Sequence, residues 1–426
     1  MPGMQSGLNI GNPLVAAAFR AALRQQLFIA AAIFLLLWLA RLIAASRWPP
    51  GLGDRDTPAL PEPAGRKVLR IGFAILWIFD GLLQAQPNMP LGLTTQVIEP
   101  TATSSPSWVQ HLVNWAGTSW TYHPIEISAA AVWIQVGIGL WLLFARQGRW
   151  ARAGALASVG WGLVVWAFGE SFGGVFAPGL TWLFGAPGAV LIYCVAGALL
   201  ALPERLWHTR RLGRLMLAGT GVFFAGMAVL QAWPGRGFWQ GRVGGQPGTL
   251  TSMIQTMSQT PQPHYLARIV SDFAAFVAAH GFGVNLFVVI ALAVLGLAFL
   301  SGQPRITRLA AGAGVVLCLA DWVLIEDLGF LGGLGTDPNS MLPMILVLVS
   351  GYLIMTRAPQ AQAVQEAVGA AGAQAAGAQA AGAQAAGAQA AGAQAAEPQT
   401  AEPVAAIVGP ARPAEPARPA EPARPA

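Results

Sequence analysis

The chain alternates long apolar runs with short polar connectors, and each run is close to the roughly 20 residues that a helix needs to cross a bilayer core. Nine runs fit this length: 26–46, 68–86, 125–145, 151–169, 183–202, 213–232, 282–301, 307–325 and 340–356. The pattern predicts an all-α polytopic membrane protein with about nine transmembrane helices. The first run, Leu27 to Ala40, is followed by Arg41 without an evident cleavage site of small residues, so it reads as a retained helix and not a signal peptide. Arg20 and Arg24 just before it read as part of an amphipathic surface helix.

Composition narrows the class further. Among 426 residues only 10% are charged, against roughly 25% in a soluble domain, and mean hydropathy is +0.54. A soluble enzyme, a disordered chain and a nucleic-acid binder are excluded as the main reading. The net charge of +6 marks topology, because Arg clusters in alternate connectors. Arg47, Arg55, Arg66 and Lys67 lie in one, Arg146, Arg149 and Arg152 in the next. Arg205, Arg210, Arg211 and Arg214 follow, then Arg305 and Arg308, with Arg357 after the last run. Connectors 87–124, 170–182 and 326–339 carry no Arg or Lys, and 233–281 carries only Arg236, Arg242 and Arg268. The positive-inside rule places the Arg-rich side in the cytoplasm, the N-terminus outside and the C-terminus inside, in a bacterial inner membrane. Cys194 and Cys318 lie inside apolar runs and read as small buried hydrophobes.

The chain also repeats itself. Leu83-Gln84-Ala85-Gln86-Pro87 recurs as Leu230-Gln231-Ala232-Trp233-Pro234. Trp166-x-x-x-Glu170-x-x-Gly173 recurs as Trp322-x-x-x-Glu326-x-x-Gly329, with Pro187 and Pro343 at the same offset of 156. His123 and His280 precede the second helix of each copy. This predicts an N-terminal helix and linker over 1–60 and two parallel four-helix repeats over 67–202 and 212–356, related by an axis along the membrane normal. The outer connectors 106–121 and 264–279 read as amphipathic helices, with Trp108, Leu112 and Trp115 in one and Tyr265, Ile269, Phe273 and Phe276 in the other. From 358 to 426 the composition shifts to Gly-Ala-Gln-Ala-Ala and Ala-Glu-Pro-Ala-Arg-Pro repeats, which predicts a disordered cytoplasmic tail.

Charged groups inside apolar runs are costly and are functional candidates by default. Asp80 and Asp321 qualify, while their counterparts Met227 and Val165 are apolar. Glu170, Glu326, His123 and His280 share the outer side with them, as do Glu126 and Asp327, and Trp166 and Trp322 supply aromatic walls. These residues point to an ion or ligand site, a proton relay or a quinone pocket; the competing expectation is that the Glu pair only caps neighbouring turns. Met253 and Met257, four apart, are a weak soft-metal signal. No nucleotide fingerprint, zinc-protease motif or nucleophile elbow occurs. The expected cofactor content is none within the chain, with a bound quinone as the alternative.

The four-helix unit, its break after the first helix and Gly169-Glu170-x-x-Gly173 resemble the DoxX-like superfamily, which includes the DoxD-type subunit of a thiosulfate:quinone oxidoreductase. The Trp-x-x-x-Glu-x-x-Gly element followed by Thr336-Asp337-Pro338-Asn339-Ser340 is similar to uncharacterised duplicated membrane proteins of GC-rich bacteria. Three functions are expected in order: a non-enzymatic transporter-like or ligand-binding protein with an outward-facing site, a quinone-linked subunit of a redox complex, and a membrane scaffold or assembly factor. The expected partners are the bilayer and a membrane or extracytoplasmic protein, with no nucleic acid.

Overall fold

The computed structural model describes residues 11–47 and 61–357, with 374, 377–379 and 381–384. Residues 1–363 form one compact unit and 364–426 a second. The described residues of the second unit are helical and exposed. The rest of the tail expected to be disordered, and the 48–60 stretch of the linker, lie outside the described residues.

Among the described residues, twelve helices of ten or more residues build the first unit: α1 (Pro13–Arg47), α2 (Ala64–Gln84), α3 (Met89–Ala102), α4 (Ser107–Thr121), α5 (Pro124–Phe144), α6 (Gly148–Gly169), α7 (Ala189–Ala201), α8 (Arg210–Ala232), α9 (Thr249–Ser258), α10 (His264–Leu300), α11 (Pro304–Leu324) and α12 (Met341–Arg357). A two-residue hairpin, β1 (Arg242–Val243) with β2 (Gln246–Pro247), turns on Gly244 and Gly245, both at positive φ.

Among the described residues six helices are long and apolar enough to cross a membrane, or seven if α2 and α3, bent by 87°, count as one broken span. The sequence reading of nine is therefore not matched helix for helix. The helix α7 has 13 residues and rises only about 20 Å, against a core of about 30 Å. Both α7 and α12 are too short because the segments before them, 170–188 and 325–340, fold as irregular Gly- and Pro-rich chain. Four charged residues, Arg66, Lys67, Arg70 and Asp80, keep α2 from qualifying alone.

The faces of these helices are inverted relative to a soluble protein, which fits a multi-pass membrane protein. On α10, Phe282, Phe287, Ile290, Val294 and Leu297 are exposed, while Asn285 is fully buried. The connector helices also run apolar on two sides. On α4 the buried row is Val109, Val113 and Gly117, and Trp108 and Trp115 face outward. On the first part of α10 the buried row is Leu266, Val270, Ala274 and Val277, and Tyr265 and Phe276 face outward. The expected separate helix over 264–279 continues into the long helix, broken only at His280 (φ −126°, ψ 27°). In α1 the packed part is residues 19–26: Phe19 is buried against Ala129 and Val132, and Trp133 donates to the Leu23 carbonyl. The apolar run beyond it is exposed from Leu27 to Leu36.

One core runs through both halves of the unit and includes Leu69, Phe73, Trp77, Tyr193, Phe224, Phe299 and Leu348. The pairs α2/α5 and α8/α10 approach backbone to backbone at glycines. A Cβ on Gly139 would stand 2.6 Å from the Ala74 carbonyl oxygen, and one on Gly296 would stand 2.8 Å from the Ala225 amide nitrogen. Gly139→Val is expected to force α2 from α5 and lower stability by about 1–3 kcal/mol, read as a lower unfolding midpoint in detergent. Gly137→Val, with open space at the added atom, should leave the midpoint unchanged.

Candidate functional site

Two junctions, after α6 and after α11, share one geometry. At each, a Trp one turn before a Glu ties the helix end to the loop ahead of the next helix. The Trp166 indole donates to the Pro187 carbonyl at 2.7 Å, and the Trp322 indole to the Pro338 carbonyl at 2.8 Å. Each Glu then accepts hydrogen bonds from the start of the helix beyond. Glu170 accepts from the Val190 amide at 3.2 Å. Glu326 accepts from the Ser340 and Met341 amides, both at 3.3 Å, and from the Ser340 hydroxyl at 2.5 Å. A carboxylate there satisfies amide groups that have no partner within the helix and meets the positive end of its dipole.

The backbone makes this possible by turning sharply after each Glu. Ser171 and Phe172 have φ 49° and 60°, and Asp327 and Leu328 have φ 55° and 59°. Such angles are uncommon outside glycine and persist only where surrounding contacts hold them. Gly173 is required in the first turn, because a Cβ would collide with the Pro187 carbonyl. The structural partner of Pro187 is Pro338, not Pro343, which sits inside α12. The stretch from Trp to this proline is five residues shorter in the second copy, so the offset of 156 that matches the Trp and Glu pairs falls to 151 between Pro187 and Pro338.

These junctions bring acids together that are remote in sequence. Asp80 senses the charges of Asp337 and Glu170, Glu170 those of Asp337 and Glu326, and Asp321 that of Glu326. The Tyr193 hydroxyl approaches Asp80 without closing a well-formed hydrogen bond. Asp80 and Asp321 are each 3% exposed. One oxygen of Asp80 and both of Asp321 have no hydrogen-bond partner. Asp337 is held by its own turn, accepting from the Asn339 amide at 2.8 Å and the Thr336 hydroxyl at 2.9 Å. Among the described residues none of these five acids forms an ion pair.

Burial raises the acids outside the long helices. It pushes Glu170 well above the usual carboxylate range, with the Asp337 charge adding to the rise and the Val190 and Ala189 amides opposing it. Burial pushes Glu326 up to about 8 against the hydrogen bonds from Ser340 and Met341. It raises Asp337 too, against Thr336 and Asn339. Asp327 stands apart, beside Thr260 and Gln262, and burial lifts it to about 6.

His123 and His280 do not join the acids. Both are exposed, and each marks the break between a connector helix and the span that follows. The His280 ring stacks on Phe276 at 4.6 Å between centroids, with Nδ1 3.1 Å from the Phe276 carbonyl oxygen. Glu126 is exposed as well. No three acidic, His or Cys side chains among the described residues are placed to hold a metal ion.

Sequence reasoning did not place Asp337 and Tyr193 in this site. Asp337 stood out only as part of the Thr336-Asp337-Pro338-Asn339-Ser340 element, and Tyr193 sits unmarked in an apolar run. It also missed a second polar centre, in which Glu62 binds Arg66 and Arg70, both buried. The spacing Glu62-x-x-x-Arg66-x-x-x-Arg70 was its only signal. Compared with known families, curated proteins and solved structures, the chain finds no match in any of the three.

Proposed function

We propose that this chain is a non-enzymatic membrane protein, transporter-like or ligand-binding, whose site is the seam of Asp80, Glu170, Asp321, Glu326 and Asp337. Asp321 carries the reading: an acid 3% exposed, with neither oxygen hydrogen-bonded, is costly to keep without a ligand or proton to satisfy it. Five acids without a counter-charge favour protons or a cationic, hydrogen-bond-donating solute. Trp166 and Trp322 act here as braces that hold the two Glu residues in place.

The shared Trp–carbonyl and Glu–amide contacts support reading the halves as two parallel copies, each a broken span followed by three helices. The Arg-rich side is cytoplasmic and the acids open outward, in a bacterial inner membrane. The DoxX-like resemblance of each copy belongs to the same reading.

Full-length protein in liposomes loaded with a pH indicator tests it. An imposed choline gradient, an impermeant organic cation, is expected to drive proton movement, with Asp321→Asn about tenfold slower or more. A wild-type rate equal to that of Asp321→Asn, or to that of protein-free liposomes, sinks the transport reading. A quinone retained through purification and seen by native mass spectrometry would replace it with the quinone-linked one.

A further inference from the structure

On the opposite, Arg-rich side of the unit, α8, α11, α12 and the α10–α11 connector enclose a cavity of about 260 Å³. Its lining is Arg210, Arg214, Arg308, Gly302, Pro304, Met355 and Thr356. Arg210 and Arg214 lie one turn apart at the start of α8, and Arg308 lies one turn into α11. Three arginines, all exposed, therefore line one small open volume, and no Asp or Glu contributes to its wall. None of the three forms an ion pair among the described residues. Arg210 is steadied by donating from Nε to the Met355 carbonyl at 3.3 Å, at the end of α12.

The helix ends reinforce the charge. Both α8 and α11 begin at this cavity, and neither start has a side-chain cap, so unpaired amides and the positive ends of two dipoles add to the three cations. Like charges gathered without an acid repel, and an anion with several acceptor oxygens relieves this best. Guanidinium groups match phosphate oxygens in geometry, often through paired hydrogen bonds. Basic pockets between membrane helices at the Arg-rich face suit anionic lipid headgroups.

We propose that this cavity is a binding site for a phosphate group, carried by an anionic phospholipid or by a free phosphate. It lies apart from the carboxylate seam and does not depend on the function proposed for it. Full-length protein in a neutral detergent, titrated with phosphatidylglycerol and followed by native mass spectrometry, tests it, with phosphatidylcholine as the neutral control and inorganic phosphate as competitor. Phosphatidylglycerol is expected to bind, and Arg214→Gln with Arg308→Gln to weaken it about tenfold or more. Arg149→Gln with Arg152→Gln removes the same charge outside the cavity and should leave binding unchanged. Displacement by millimolar inorganic phosphate would assign the site to free phosphate, and resistance to it would assign the site to the lipid. Equal weakening by both double variants, or equal binding of phosphatidylcholine, overturns the proposal.

Discussion

Arg70→Met is expected to destabilise the fold by about 3–5 kcal/mol, the cost of breaking a buried ion pair by removing one partner. Arg70 is 3% exposed. It meets Glu62 through two parallel bonds, Nε to Oε1 at 2.8 Å and Nη2 to Oε2 at 2.7 Å. Its Nη1 donates to the Leu142 and Leu143 carbonyls at 3.0 and 2.7 Å, at the end of α5. Those carbonyls belong to the last turn of a helix and have no partner within it. One guanidinium thus satisfies an acid and a helix terminus and locks α2 to α5. Thermal unfolding in a fixed detergent should show a clearly lower midpoint, and the double variant Glu62→Gln with Arg70→Met should recover part of the loss. A midpoint equal to wild type would show that water, not Arg70, satisfies these groups.

Stability is expected to fall as pH rises from about 4.5 to about 8, because the Glu326 carboxyl is pushed up from its ordinary 4.5 to about 8 in the folded protein. Between those values the folded chain holds a proton that the unfolded chain has released. Raising the pH therefore favours unfolding, by up to about 1.4 kcal/mol per pH step. The stabilising effect is complete below 4.5 and lost above 8. Asp327, raised from 3.8 to about 6, adds a slope of the same sign in the lower part of the range. Glu326→Gln should reduce the slope over the whole range from 4.5 to 8 and leave the part that Asp327 contributes below about 6. A wild-type midpoint that rises with pH in that window would refute the protonated, buried state of Glu326.

Much of the architecture was legible in sequence because crossing a bilayer imposes a local rule. About 20 apolar residues are needed whatever surrounds them, so α5, α6, α8 and α11 appear close to their expected bounds. The Trp-x-x-x-Glu-x-x-Gly element was legible too, since a recurring spacing needs no tertiary knowledge. The apolar content of 183–202 and 340–356 was equally plain, but not that each becomes a shorter helix behind an irregular leader. That depends on Glu170 and Glu326 reaching the amides of the next helix, a contact between segments that no hydropathy window joins.

The sequence by itself determined that the chain carries several helices long and apolar enough to cross a membrane, with most arginines in the connectors between them. Tertiary structure alone decided which charges are paired and which are left over. Arg66 read as a connector charge and is buried on Glu62. Asp337 read as part of the connector before the last apolar run and stands among the acids. His123 and His280 share the outer side with those acids in sequence and lie exposed at helix breaks. The physical reason is that burial and pairing depend on side chains from distant helices, whereas the cost of placing a helix in an apolar medium is a sum over neighbours in sequence.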